Sequence, residues 1–236
     1  MRSEILSMRS KAIITSALPY ANGEIHLGHI ASTYLPADVT TRFLKLNGVE
    51  AYYICASDDF GTPILLQSEK EGKTPSEYVA HWNKRDYDDF TAAGIDFDFF
   101  YKTSSSENIQ FVQDVFKKLD AAGHIYQKEI IQFYCNNDKK FLPDRYVKGI
   151  CPYCKAADQY SDLCESCGRV PEEIFDPRCS ICGITPTKEK TTHYFFKLKN
   201  FADSLSKWLD ENENLQKDVK KYVQNWIKSG LIDWDI

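Results

Sequence analysis

No stretch of this chain approaches the ~18 consecutive apolar residues of a membrane span, and its mean hydropathy is -0.44; both point to a soluble protein. An excess of positive charge is missing as well. The 29 Lys and Arg stand against 34 Asp and Glu, a formal net charge of -5, which excludes a uniformly basic coat for nucleic acid but not a local basic face. The first residues carry Glu4, Arg9 and Lys11 around short apolar pieces and lack the unbroken hydrophobic centre of a secretory leader, so the chain reads as cytoplasmic. There is no low-complexity tract, and no internal repeat beyond pairs of cysteines. Six of the eight cysteines fall between Cys151 and Cys182 in C-x-x-C pairs, the spacing of a metal site rather than of an extracellular disulfide framework.

What is present is 236 residues, 43% of them hydrophobic, enough for one large domain or two smaller ones. Lys11 to Ala17 is short, β-branched and apolar, and reads as a buried first strand. From His26 to about Asn47 the residues Ile30, Leu35, Val39, Phe43 and Leu46 recur at helical intervals, with Gly48 as the stop. Pro36 inside that run predicts a kink or a split. Glu50 to Ala56 is a second strand, with Ser57-Asp58-Asp59 just past its end, where α/β sheets place their chemistry. Thr62-Pro63 and the capping box Thr74-Pro75-Ser76-Glu77 open two more helices, the second running through Tyr78, Trp82, Tyr87 and Phe90 to Gly94. A short strand at Asp98 to Lys102 and a helix through Ile109, Val112, Phe116 and Leu119 follow. The alternation predicts an α/β fold, the first half of a Rossmann-like doubly wound parallel sheet over residues 1–122. Residues 123–236 read as an inserted zinc-knuckle domain. Its segment from about 135 to 190 is loop-rich, holds seven cysteines and nine side chains of each charge, and needs a metal to order it. Helical stretches from Phe201 to Trp208 and from Leu215 to Ile227 come after it.

The most informative segment joins the first strand to its helix: Ala17-Leu18-Pro19-Tyr20-Ala21-Asn22-Gly23-Glu24-Ile25-His26-Leu27-Gly28-His29. A helix N-terminus there offers free backbone N–H groups to a phosphate. His26 and His29, on one turn, can both donate to oxygens that gain charge in a transition state, and Gly28 leaves room for a nucleotide against the backbone. Gly23 and Gly28 are spaced as in a P-loop, but His29-Ile30 stand where Lys and Ser/Thr are needed, and the two histidines do not fit the zinc-protease pattern. A lone His-x-x-His is more often structural; its strand–loop–helix setting favours chemistry here. Asp58 offers a carboxylate to the α-ammonium of an amino acid, a capping or turn role being the plainer alternative.

The same loop resembles the HIGH signature of class I aminoacyl-tRNA synthetases, in the form typical of the methionyl-tRNA synthetase family. The resemblance continues through Tyr-Ile-Cys-Ala-Ser-Asp-Asp-Phe-Gly-Thr-Pro (53–63), Phe-Leu-Pro-Asp-Arg-Tyr-Val-Lys-Gly (141–149), the cysteine pairs and Trp234-Asp235-Ile236. It implies a ligase that uses ATP, with Mg2+, to activate methionine as methionyl-adenylate, and then transfers methionine to tRNA(Met). It further implies that His26 and His29 are catalytic contacts to ATP, with Ala17, Asn22, Gly23 and Gly28 in the ATP site. Asp58 would hold the methionine ammonium, and Leu18 and Tyr20 would line the side-chain pocket. The family's second signature, KMSKS, does not occur, so the expectation is an N-terminal piece that is catalytically incomplete alone.

Cys151, Cys154, Cys164 and Cys167 supply two thiolate pairs from tight turns, which complete a zinc tetrahedron. Cys179 and Cys182 need a second pair. The candidate is Cys135-Asn136-Asn137-Asp138, where Asp138 holds the place of a cysteine; Cys₃Asp is sound zinc chemistry, weaker than Cys₄. Four protein ligands leave no open position, so both sites read as structural. Cys55, alone in an apolar strand, reads as a small buried hydrophobe, and His193 as a strand residue. The alternative from another class is a zinc-ribbon RNA-binding module without chemistry, against which the cancelling charges of the knuckles argue. Another HIGH-bearing nucleotidyltransferase would have no reason to carry Leu18, Tyr20 and Asp58 together.

Overall fold

The structure, a computed structural model, describes residues 11–236; residues 1–10, where the secretory-leader question falls, lie outside them. The chain divides into two compact units, one up to Phe111 and one over Val112–Ile236.

In the first unit Lys11–Thr15 (β1), Glu50–Ser57 (β2) and Phe99–Lys102 (β3) form a parallel sheet in the order β1-β2-β3. Parallel neighbours need long crossovers. These are Leu27–His29 (α1) with Leu35–Leu46 (α2), then Thr62–Lys70 (α3) with Pro75–Ala92 (α4). The capping box that opens α4 forms as its sequence predicts. Thr74 Oγ1 accepts from the Glu77 N–H at 3.2 Å, and the Glu77 carboxylate accepts from the Thr74 N–H at 2.9 Å, so two donors that helix geometry leaves over are satisfied. Tyr34, Tyr53, Cys55, Phe90, Ile95 and Phe97 pack into one core. Ser106–Ala121 (α5) follows β3, with Ser105 Oγ accepting from the Asn108 N–H at 3.2 Å.

Two expectations for this unit are corrected, on β1 and on α4, and the split at Pro36 is met. β1 is not buried: Ile13 is 70% exposed, because β1 is an edge strand of the described sheet and Ile13 shares an open face with Tyr52 opposite it. The run splits ahead of Pro36, as expected, through a wider turn. Ile30–Tyr34 forms a π-helical turn in which the Leu35 N–H bonds the Ile30 carbonyl five residues back, and Pro36 then falls in the first turn of α2, where a missing N–H costs little. On α4 it is Asp86 that is fully buried in line with Tyr78, Trp82 and Phe90, while Tyr87 is exposed.

The second unit contains two sheets. Ile125–Cys135 (β4), Lys140–Phe141 (β5), Thr187–Phe196 (β9) and Trp234–Asp235 (β10) lie in the order β10-β9-β4-β5. Val147–Ile150 (β6), Gln159–Tyr160 (β7) and Phe175–Cys179 (β8) lie in the order β7-β6-β8. A long antiparallel ribbon runs from Ile125 opposite Phe196 to Tyr134 opposite Thr187 and brackets the loop-rich segment, whose own strands are short. His193 sits in β9 with Nδ1 2.8 Å from the Asp235 carboxylate. Ala202–Glu211 (α6) and Lys217–Ser229 (α7) complete the unit. No described helix is long and apolar enough to cross a membrane.

Candidate active site and metal centres

The loop after β1 is laid along the end of β2. The Asp58 N–H donates to the Pro19 carbonyl at 2.7 Å and the Ala21 N–H to the Asp58 carbonyl at 3.0 Å, which makes Tyr20 and Asp58 a parallel bridge. Two residues far apart in sequence thus stand side by side. Among the described residues the Asp58 carboxylate has no hydrogen-bond partner, so its charge is available to a cation. A cavity of about 360 Å³ opens in the loop, lined by Ala17, Leu18, Tyr20, Asn22, Gly23 and His29 with Pro19, Glu24, Ile25, Thr33 and Tyr34. His26, Gly28 and Asp58 are outside that lining.

The helix N-terminus does not present its amides as expected. His26 Nδ1 accepts from the N–H groups of Gly28 (3.1 Å) and His29 (3.3 Å), and His29 Nδ1 accepts from the His26 N–H at 3.4 Å. The first-turn donors are therefore taken by imidazole rather than left for a phosphate. An accepting Nδ1 carries no proton, so in each neutral ring the proton sits on Nε2. Two exposed N–H donors replace the backbone amides. The rings stack with centroids 3.6 Å apart and 18° between their planes. Gly28 makes room for this arrangement first of all: a Cβ there would lie 3.0 Å from His26 Cε1 and Nδ1.

Support for the loop comes from residues to which the sequence assigns no role. Tyr78, buried on α4, donates to the Asn22 carbonyl at 3.3 Å, and Arg85 Nη2 lies 3.8 Å from Glu24. Gly61 has φ +125°, and a Cβ there would come within 2.3 Å of the Tyr20 hydroxyl, so only glycine lets that phenol close over the strand end. Buried Asp59 accepts from the hydroxyls of Ser57 and Ser104, both at 2.6 Å, and so ties β2 to the turn after β3. Asp59 and Gly61 flank Phe60 in the 53–63 segment, where the run Ser57-Asp58-Asp59 is the only hint; Tyr78 carries no sequence signal beyond its place on an apolar helix face.

In the second unit the ligand atoms of Cys151, Cys154, Cys164 and Cys167 lie within 4.8 Å of one another, and so do those of Cys135, Asp138, Cys179 and Cys182. Either group could hold a metal ion. Sulfur separations of 3.9 Å (Cys151–Cys167) and 3.6 Å (Cys154–Cys164) match the edge of a tetrahedron with ~2.3 Å zinc–sulfur bonds, about 3.8 Å. In the other group Cys135 Sγ is 3.5 Å from Cys182 Sγ, and Asp138 Oδ2 is 3.1 Å from the sulfurs of Cys135 and Cys179. The three C-x-x-C turns share one backbone pattern: the N–H of the first cysteine bonds the carbonyl five residues on, and its carbonyl accepts from the residue four on. At that fourth position Lys155, Gly168 and Gly183 have φ of 63°, 69° and 76°. Lys139, four after Cys135, has φ 52°. Asp138 therefore occupies a turn of the same form as a cysteine knuckle.

Hydrogen bonds and burial shift the ligand groups in opposite directions. Backbone N–H groups, that of Cys154 foremost, pull the Cys151 thiol down to about 6, and thiol hydrogen bonds from Cys182, Cys179 and Cys135 hold Asp138 at about 2. Burial instead pushes Cys164 up to about 11 and Cys179 to about 12, which favours the neutral thiol until a cation is bound.

A family model described as tRNA synthetases class I (M) matches residues 12–236. The methionine–tRNA ligase of Methanopyrus kandleri is 46% identical over 231 residues, 96% of this chain and 35% of that protein. The methionine–tRNA ligases of Leptospira biflexa and Methanocaldococcus jannaschii are also 46% identical, over 97% and 95% of this chain and 34% of each protein. The chain thus spans about a third of the length of the curated relatives it matches. In solved structures, Mycobacterium tuberculosis methionyl-tRNA synthetase in complex with methionyl-adenylate matches 97% of this chain and 40% of its own, with a TM-score of 0.70 at 19% identity, a likeness of fold. With the family model running from Ala12 to Ile236 over a parallel α/β sheet of the Rossmann-like kind, the chain belongs to the class I tRNA synthetases (M).

Proposed function

We propose that this chain is the methionine- and ATP-binding N-terminal part of a cytoplasmic methionine–tRNA ligase, with residues 1–122 as the first half of a doubly wound nucleotide-binding fold and 123–236 as the connective insertion. The observation that carries the reading is the stacked pair His26 and His29, each with its Nδ1 held by backbone N–H, beside a cavity whose loop is bridged to Asp58. When a methionine carboxylate oxygen attacks the α-phosphorus of ATP and the bond to pyrophosphate breaks, negative charge grows on phosphate oxygens. Two Nε2–H donors fixed before that moment stabilise it without reorganisation. Asp58 pairs with the methionine ammonium and sets its direction, while Leu18 and Tyr20 meet the side chain. Ala17, Asn22, Gly23 and Gly28 give the nucleotide, carried with Mg2+, backbone to lie against. Both ligand groups of the second unit take zinc as a structural ion, which holds turns that have little apolar surface of their own. tRNA(Met) is the acceptor for the product.

The test is methionine-dependent ATP–pyrophosphate exchange, run on this chain and on a form extended with the sequence that relatives carry beyond the matched region, with leucine, valine and cysteine as controls. Exchange with methionine alone, and chiefly in the extended form, is expected. Exchange in neither form, alongside retained RNA binding, would replace the ligase reading with the zinc-ribbon binding module.

A further inference from the structure

The two ligand groups hold different things together. Cys151, Cys154, Cys164 and Cys167 all come from turns around β6 and β7, so a metal there closes the three-stranded knuckle on itself. The Cys135 group does not. Cys135 and Asp138 end β4 and open the turn to β5, in the four-stranded sheet, while Cys179 and Cys182 end β8 in the three-stranded one. The ligands that meet are 41 to 47 residues apart in the chain. The junction also carries a cavity and an exposed ion pair. A cavity of about 530 Å³ is lined by Ile131, Phe133 and Lys188 from the ribbon and by Pro171, Glu173 and Ile174 from the segment before β8, and the ion pair that crosses it, Lys188 to Glu173 at 3.0 Å, is exposed, a contact of little net worth.

Resting on the metal part of the proposed function, we infer that the Cys135/Asp138/Cys179/Cys182 group is an exchangeable zinc clamp between the two sheets, distinct from a slowly exchanging zinc in the four-cysteine knuckle. The chemical difference is Asp138. Its turn has the left-handed fourth residue of a knuckle, Lys139, yet presents a hard oxygen in place of a soft thiolate, and zinc among thiolates is held less firmly by such a ligand. Releasing this ion frees the junction and leaves the knuckle folded.

The test loads the full chain with zinc and follows its transfer to a colorimetric chelator. Two ions per chain are expected, one leaving at least tenfold faster than the other. Loss of the fast ion should raise amide exchange over residues 135–142 and 175–184 and leave 147–168 protected. Asp138→Cys should bring the fast rate to that of the slow ion, and Asp138→His, should the cysteine variant fail to fold, should slow it likewise. With cobalt as probe, thiolate-to-metal absorbance of the fast ion should be about three-quarters that of the slow one, three sulfurs against four. Release of both ions at one rate overturns the inference, as does first loss of protection over 147–168. One zinc per chain, unchanged in Asp138→Ala, overturns the clamp while the pyrophosphate-exchange result stands independently.

Discussion

At the scale of single residues, one glycine and one aspartate act through their immediate surroundings. Gly28→Ala puts a methyl 3.0 Å from the His26 ring, so the ring must give by a few tenths of an ångström, which loosens its bonds to the Gly28 and His29 amides. We expect a loss of about 1 kcal/mol, the value of an N-cap. Nitrogen chemical shifts of His26 should change from a single Nε2–H tautomer to a mixture, whereas an unchanged tautomer would mean that the cap is not what orients the ring. Asp86 carries a different lesson. It is fully buried and neither carboxylate oxygen has a hydrogen-bond partner among the described residues; burial first, and Asp89 second, raise it to about 7, with Arg85 opposing. A raised carboxyl binds its proton more tightly folded than unfolded, so its share of stability is complete below pH ~4 and is lost as pH climbs through about 7. Asp86→Asn should therefore gain on the native chain between pH 5 and pH 8, by about 2 kcal/mol at the alkaline end, read as urea midpoints. A constant difference across that range would place the proton elsewhere. Asp86 was legible in principle, since Tyr78, Trp82, Asp86 and Phe90 recur at four-residue steps, but an apolar-pattern reading passes over an acid and settles on the neighbouring Tyr87.

Elements were legible where local chemistry alone decides them. α4 announces itself through Thr74, Pro75 and Glu77, and its reciprocal bonds are in place. Thr74→Ala should remove one of them and destabilise the chain by about 1 kcal/mol; helix content of the variant should remain, since Phe90 and Tyr78 still bury the far side. A loss several times larger would show that Thr74 also shapes the approach of the chain before it. Elements that depend on partners were harder to read. Ile125–Cys135 is a strand because Thr187–Phe196 lies antiparallel beside it, and about fifty residues separate the two. No local period marks that pairing, since Lys128, Glu129 and Gln132 interrupt the apolar positions. The π turn before α2 is a compromise of the same kind. Pro36 predicts trouble for a regular helix, but which repair the chain adopts depends on Tyr34, buried and packed on Phe90 with centroids 4.3 Å apart.

For the whole molecule, the readable part of the site is the part that is contiguous. Ala17 to His29 and the C-x-x-C turns each state their chemistry within a few residues, whereas the hold of Tyr78 on Asn22 spans 56 positions and exists only in the folded chain. The same contrast separates the two units energetically. Every residue of both ligand groups lies in Val112–Ile236, and the unit up to Phe111 has its own aromatic core with Cys55 as its lone, buried thiol. Zinc binding contributes on the order of 10 kcal/mol to small metal-built folds, comparable to the entire stability of an ordinary domain. Exhaustive removal of zinc should therefore unfold the knuckle region and spare the parallel sheet. Amide exchange followed by mass spectrometry resolves this: protection over 147–184 should fall by orders of magnitude, while β2 around Tyr53 and Cys55 and the buried turns of α4 hold theirs. Trp82 reports on the first unit and Trp208, Trp226 and Trp234 on the second, so replacing Trp82 with Phe should leave nearly all of the chelator-induced fluorescence change intact. Parallel loss of protection in β2 would require the stability of the first unit to depend on the second, and its aromatic core would then be insufficient by itself.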